Sequence, residues 1–211
     1  MLVHCAIIPP RAELEAVADV VRSVPEPVAE HAEAHASGLL GRLGKRKADV
    51  PEAPAPPMLE HVPARLLQIP ITAFGNLTVQ DAERLADAIA AAARDWTPPE
   101  VYFAGGTALD FPGDWCVWAK IAGNVEALDA VSRGVTQSVE ALGFFVDRRA
   151  FRPMLSVASV TPATTGPFLQ QVVDALDGFH GETWTADVVL LKEAFVGASA
   201  EMVEFHRIQV G

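Results

Sequence analysis

Short apolar runs rich in β-branched residues alternate with stretches whose apolar residues recur at helical spacing, and the alternation passes through the chain twice. Leu2 to Ile8 reads as a buried strand. Leu14, Val17, Val20 and Val21 then fall on one face of a helix over 11–23, closed by Pro25 and Pro27. Leu66 to Phe74 is the next strand, closed by Gly75-Asn76. Thr78 followed by Asp81 resembles a capping box, and Ala82, Leu85, Ala86, Ile89 and Ala93 form a stripe behind it. Strands over 100–107 and 115–121 flank a turn at Pro112-Gly113. A third helix carries Val125, Leu128, Val131 and Val135 and ends at Gly143. Met154 to Val160 is a strand and Phe168 to Leu176 a helix. Trp184 to Leu191 and Met202 to Val210 make a closing hairpin. This order predicts an α+β fold with a pseudo-duplicated arrangement, and argues against a doubly wound parallel sheet.

With 211 residues, 50% of them hydrophobic, the chain can bury a sizeable core without disulfides or metal. Two cysteines, Cys5 and Cys116, suit a reducing compartment, and a cytoplasmic location is expected. No apolar run approaches the roughly 20 residues of a membrane span. The first run lacks a basic flank and reads as a strand, not a signal peptide. The net charge of −11 argues against general nucleic-acid binding, which rests on Lys and Arg neutralising phosphates. A single RNA end or small phosphorylated molecule in a local pocket is compatible with it. Residues 28–63 form a variable, partly flexible excursion, with the basic cluster Lys45-Arg46-Lys47 and a Pro/Ala tract from Pro51 to Pro57. Within it, His31 and His35 have the i, i+4 spacing of zinc ligands. Only Glu30 and Glu33 stand nearby, so the segment reads as a solvated helix face, and neither metal nor cofactor is expected.

The most informative stretch is Leu142-Gly143-Phe144 followed by Arg148-Arg149-Ala150-Phe151-Arg152-Pro153-Met154-Leu155-Ser156. It resembles the second signature of the two-histidine phosphoesterases, the 2′-5′ RNA ligase and cyclic phosphodiesterase group. There, an Arg-Pro pair precedes a strand bearing His-x-Thr/Ser. Here the hydroxyl position is Ser156 and the histidine position is Met154. The first signature is matched without a gap by Leu67-Gln68-Ile69-Pro70-Ile71-Thr72-Ala73-Phe74-Gly75, with Gln68 at the histidine position and Pro70 at the threonine position. A slipped reading through Thr72 keeps a hydroxyl but displaces Gly75. Neither register supplies a histidine. The resemblance runs over nearly the whole chain, interrupted at the 28–63 excursion. It implies one bilobal domain over 1–211, each lobe an antiparallel sheet flanked by helices, the two facing across a central cleft.

In such a cleft, residues two apart on a strand face the same way, so each strand delivers one imidazole and one hydroxyl to a phosphate. One imidazole serves as general base and the other as general acid. Gln68 can donate a hydrogen bond but moves no proton, and Met154 does neither. The resemblance therefore implies a degenerate site from which both proton-transfer groups are gone. The expected protein is inactive or strongly attenuated, and uses the cleft to bind a small phosphorylated or other ligand. Gln68, Thr72, Arg152, Ser156 and His4 are the candidate contacts. One alternative is an active phosphodiesterase rebuilt on His4, Ser156 and Arg152. Another is an interaction scaffold using the excursion, its protein partner unspecified. Trp96, Trp115, Trp118 and Trp184 read as core or rim residues.

Overall fold

The computed structural model describes residues 1–27, 56–147, 150–196 and 199–211. His31, His35, Glu30, Glu33 and the basic cluster at 45–47 lie outside the described residues, as do Arg148 and Arg149. The elements run β1 (Leu2–Ile7), α1 (Arg11–Ser23), β2 (Leu59–His61), a 3₁₀ turn (Ala64–Leu66), β3 (Ile69–Asn76), α2 (Val79–Ala93), β4 (Glu100–Ala108) and β5 (Cys116–Gly123). They continue with α3 (Val125–Glu140), β6 (Met154–Val160), α4 (Gly166–Asp177), β7 (Trp184–Thr185), β8 (Val188–Val196) and β9 (Ser199–Ile208). Two antiparallel sheets result. One has the order β3-β1-β8-β9 and the other β2-β6-β5-β4-β7. The expected α+β, two-sheet architecture is the one observed.

Helices α2 and α3 form where side chains can satisfy their first turns. Thr78 accepts from the Asp81 amide at 3.1 Å and donates its own hydroxyl to the Asp81 carboxylate at 2.8 Å. Asn124 accepts from the Ala127 amide at 3.0 Å. Each such cap contributes about 1 kcal/mol. Beyond α3 the chain turns at Gly143, whose φ of +76° suits a residue without a Cβ. The stripe Ala82, Leu85, Ala86, Ile89 and Ala93 is buried as its spacing requires. Helix α2 packs on α3, and α4 packs on β4.

One core cluster spans both sheets, with Val3, Cys5 and Ile7 from β1, Val117 and Ala119 from β5, and Leu155 from β6 all buried. The first sheet also carries a second, smaller apolar cluster, Ala6, Val189 and Leu191, with Ile8 and Met202 packed on it. Residues two apart on a strand share a face, so Ala6 lies on the same side as His4. Leu191 and Val189 are the direct β8 partners of His4 and Ala6. This cluster is therefore on the face opposite the core.

Three boundaries differ from the sequence reading. The excursion ends before residue 59, because Leu59–His61 pairs with β6 at the edge of the second sheet. Leu59 is buried while Glu60 and His61 are exposed, and the Thr161 hydroxyl holds the approach by donating to the Pro57 carbonyl at 2.7 Å. The run from Trp184 to Leu191 is two strands, since β7 pairs with β4 and β8 crosses to the first sheet beside β1. Trp184, Ala186 and Val188 keep the alternation of a single strand across the break, which hides the change of sheet. Strand β3 begins at Ile69, after a 3₁₀ turn that takes up Leu66.

Candidate ligand-binding cleft

Between the sheets lies a cavity of about 400 Å³. The first sheet contributes His4 from β1 and the stretch Pro70 to Ala73 from β3. The second sheet contributes Trp118 from β5 and Met154 from β6. The segment joining α3 to β6 closes one side with Asp147, Ala150 and Arg152. That segment is tied to the edge of β3: the Asp147 amide donates to the Ala73 carbonyl at 3.2 Å, and the Thr72 hydroxyl donates to the Asp147 carbonyl at 3.0 Å.

The cavity thus gathers four of the positions singled out above, His4, Thr72, Arg152 and Met154, together with Pro70. Thr72 is buried, and its one hydroxyl proton is committed to the Asp147 carbonyl. Gln68 and Ser156 are not in this lining. Gln68 faces a neighbouring groove of about 1190 Å³ over the first sheet, shared with Ile8, Leu191, Met202 and Arg207. Ser156 sits two residues from Met154 on the same strand, opposite Trp118, and is half-buried. Register therefore gives it the cleft face without placing it in the cavity wall. No imidazole occupies Gln68, Pro70, Met154 or Ser156; the one imidazole in the lining is His4, opposite Ala73 on one side and Leu191 on the other.

The positive charge of the cavity is Arg152, and Asp147 brings a carboxylate to the same lining. Arg152 is exposed, and its guanidinium carbon lies 3.3 Å from the centroid of the Phe111 ring. Stacking on an aromatic face leaves the in-plane N–H edges of a guanidinium available. Among the described residues Arg152 has no carboxylate partner, unlike Arg11, Arg65 and Arg207 of the adjacent groove. Phe111 in turn meets Trp118 edge-on, with centroids 6.1 Å apart. Asp114 holds this wall in place. Its carboxylate accepts from the Trp118 indole at 2.7 Å, the Cys116 amide at 3.0 Å and the Asp110 amide at 3.1 Å. The sequence reading places Trp118 at core or rim, and it stands at the rim. Phe111 and Asp114 escape that reading because only the folded β4–β5 turn brings them to the cleft, and a Phe-Pro-Gly-Asp turn has no distinctive spacing.

Two further observations bear on chemistry. Burial pushes the Cys5 thiol well above its ordinary range, which leaves it a neutral core side chain. Among the described residues no cluster of His, Cys, Asp or Glu could hold a metal ion, and no helix is long and apolar enough to cross a membrane.

No sequence-family model matches the chain, and no curated protein matches it in sequence. Solved structures do. The chain superposes on Escherichia coli LigT complexed with 3′-AMP at TM-score 0.63 and 12% identity, covering 99% of this chain and 97% of that one. TT0787 of Thermus thermophilus gives 0.61 at 14% identity over 100% and 98% of the two chains. A further phosphoesterase gives 0.62 at 14% identity over 99% and 97%. Other LigT structures that superpose on the chain hold NADP+, ATP and phosphate. End-to-end coverage on both sides at this level of identity establishes shared architecture: the chain has the bilobal fold of LigT and related phosphoesterases.

Proposed function

We propose that this protein is a binding relative of the cyclic phosphodiesterases, catalytically silent or strongly attenuated, whose cleft holds a small anionic ligand such as a phosphorylated molecule or an RNA end. One observation carries the reading: the cleft cavity contains an arginine that has no carboxylate partner among the described residues, but Met154 and Pro70 where the resemblance calls for catalytic groups. Each positioned acid or base contributes about 10² to 10⁴ in rate. An amide at Gln68 and a thioether at Met154 supply none of it. What is left is recognition. Arg152 offers charge-assisted hydrogen bonds, and Ser156 adds a hydroxyl on the same face of β6. The free thiols of Cys5 and Cys116 fit a cytoplasmic protein.

Calorimetric titration with 2′-AMP and 2′,3′-cyclic AMP tests this. Binding that falls about tenfold or more in Arg152→Gln is expected, since a hydrogen bond to a charged group is worth about 1.5–3 kcal/mol. Wild-type affinity retained in that variant would remove the anion site.

A second reading keeps an enzyme. His4 lines the same cavity as Arg152, and imidazole is the side chain suited to act as base or acid near neutral pH. In that reading His4 acts with Ser156 and Arg152. Its signature is ring opening of 2′,3′-cyclic AMP that disappears in His4→Gln while binding persists.

A further inference from the structure

Apolar side chains border the cleft-facing side of the first sheet in two neighbouring places, with His4 between them. Met154 and Pro70 border the smaller cavity, while Ile8, Leu191 and Met202 border the larger groove. The two spaces adjoin. His4 of the cavity is the direct β-partner of Leu191 in the groove. Gln68 of the groove stands two residues before Pro70 of the cavity, where the chain enters β3. Beneath these side chains, Ala6 and Val189 are buried in a cluster of their own, separate from the core. A sheet face whose task is to hold phosphates alone has no use for such a floor.

Charge is distributed just as unevenly. Arg11, Arg65 and Arg207 in the groove are each within 4 Å of a carboxylate: Glu15 at 2.7 Å, Glu201 at 3.6 Å, and Glu204 at 2.8 Å for Arg207. Among the described residues lining both spaces, Arg152 is the lone arginine with no such partner. A polyphosphate would find one guanidinium outside an ion pair, a carboxylate, Asp147, in the same cavity, and groove arginines already paired with carboxylates.

We infer that the ligand of this cleft is an anion with an extended apolar body. Its single oxyanion head sits on the in-plane edge of Arg152. Its body runs over Met154 and Pro70 and past Leu191 toward Met202. The head is a carboxylate or a phosphate monoester; both fit a guanidinium edge. The inference rests on the cleft being a binding site, and adds what that site selects.

The test is calorimetry on the full chain with n-hexanoate, n-octanoate and n-decanoate below their aggregation limits, the matching n-alkyl phosphates, and 2′-AMP. Affinity should rise roughly fourfold per methylene, the transfer value for a buried CH₂. The two head series identify the head by their offset. Arg152→Gln should lower affinity about tenfold or more at every length and leave the slope unchanged. Met202→Glu, a half-buried position on the groove wall, should flatten the slope. Affinity independent of chain length overturns the inference. So does binding of 2′-AMP without binding of any alkyl anion, an outcome that leaves the binding reading of the cleft intact. Failure of every anion to bind removes both.

Discussion

The two strands to which the resemblance assigns the signature positions, β3 and β6, differ in what they can carry, and their places in the sheets explain how. Strand β3 is the edge of its sheet, paired on one side with β1. Strand β6 lies between β2 and β5. A proline has no N–H to give to a ladder, so it is tolerated at an edge and costly inside a sheet. Pro70 accordingly stands on β3, where its β1 partner is Ala6. Strand β6 carries Met154 and Ser156 and is preceded by Arg152, while the first sheet brings His4 and Thr72 beside Pro70 to the same cavity. Each side of a shared site is thus composed within the limits its own hydrogen bonding sets.

The sharpest way to break this contrast is to move the proline. Ala158→Pro should destabilise the protein by about 3 kcal/mol, because Ala158 is flanked by Val117 of β5 and His61 of β2 and an interior ladder bond is lost. Pro70→Thr, placing a hydroxyl at the edge, should stay within about 0.5 kcal/mol. Urea unfolding of the two variants measures both. Adjacent positions on β6 should differ almost as much. Leu155 is fully buried, and Leu155→Ala should cost about 2–5 kcal/mol. Met154→Ala, on the cleft side, should cost no more than about 1 kcal/mol.

The aromatic wall gives a smaller effect. Asp114→Ala strands three donors at the β4–β5 turn, two of them only partly buried and one exposed. It should cost about 1–2 kcal/mol and shift the tryptophan emission as Trp118 loses its indole acceptor. An unchanged emission spectrum would mean that Asp114 does not set the orientation of Trp118.

The smallest effect concerns the groove. Burial raises the Asp187 carboxyl above its ordinary range, against the opposing pull of Arg207. A raised folded-state value means the ionised carboxylate is disfavoured in the fold, so the contribution to stability is fullest below the unfolded value and is lost as pH rises through the folded one. Asp187→Asn should therefore raise Tm at pH 7 by about 2 °C or less. The gain should vanish as pH falls below the ordinary Asp range. A loss of Tm at pH 7 would show the Arg207 pair to be the larger influence.

Periodicity carried most of the architecture. Helix α1 is legible to the residue from Leu14, Val17 and Val21 with two closing prolines, and α2 from its Thr78 cap. What sequence could not reveal are choices made by tertiary partners. Leu59–His61 is too short to show a period and is a strand because β6 offers it an edge. The stretch 184–191 leaves one sheet for the other at Ala186-Asp187, and the alternation of Trp184, Ala186 and Val188 reads through that break as one strand. At the cleft, the alternation rule gives Gln68 and Pro70 one direction along an extended chain but says nothing of which space each meets. Likewise, the stacking of Arg152 on Phe111 joins residues far apart in sequence.

On the proposed reading, recognition has outlived proton transfer in this cleft. Incubation of the wild-type chain with 2′,3′-cyclic AMP at high enzyme concentration, with the ring-opened monophosphates separated by chromatography, tests that most directly. Saturable binding with no ring opening above the buffer rate is the predicted result. Ring opening at ordinary enzyme rates that is abolished by His4→Gln would contradict it.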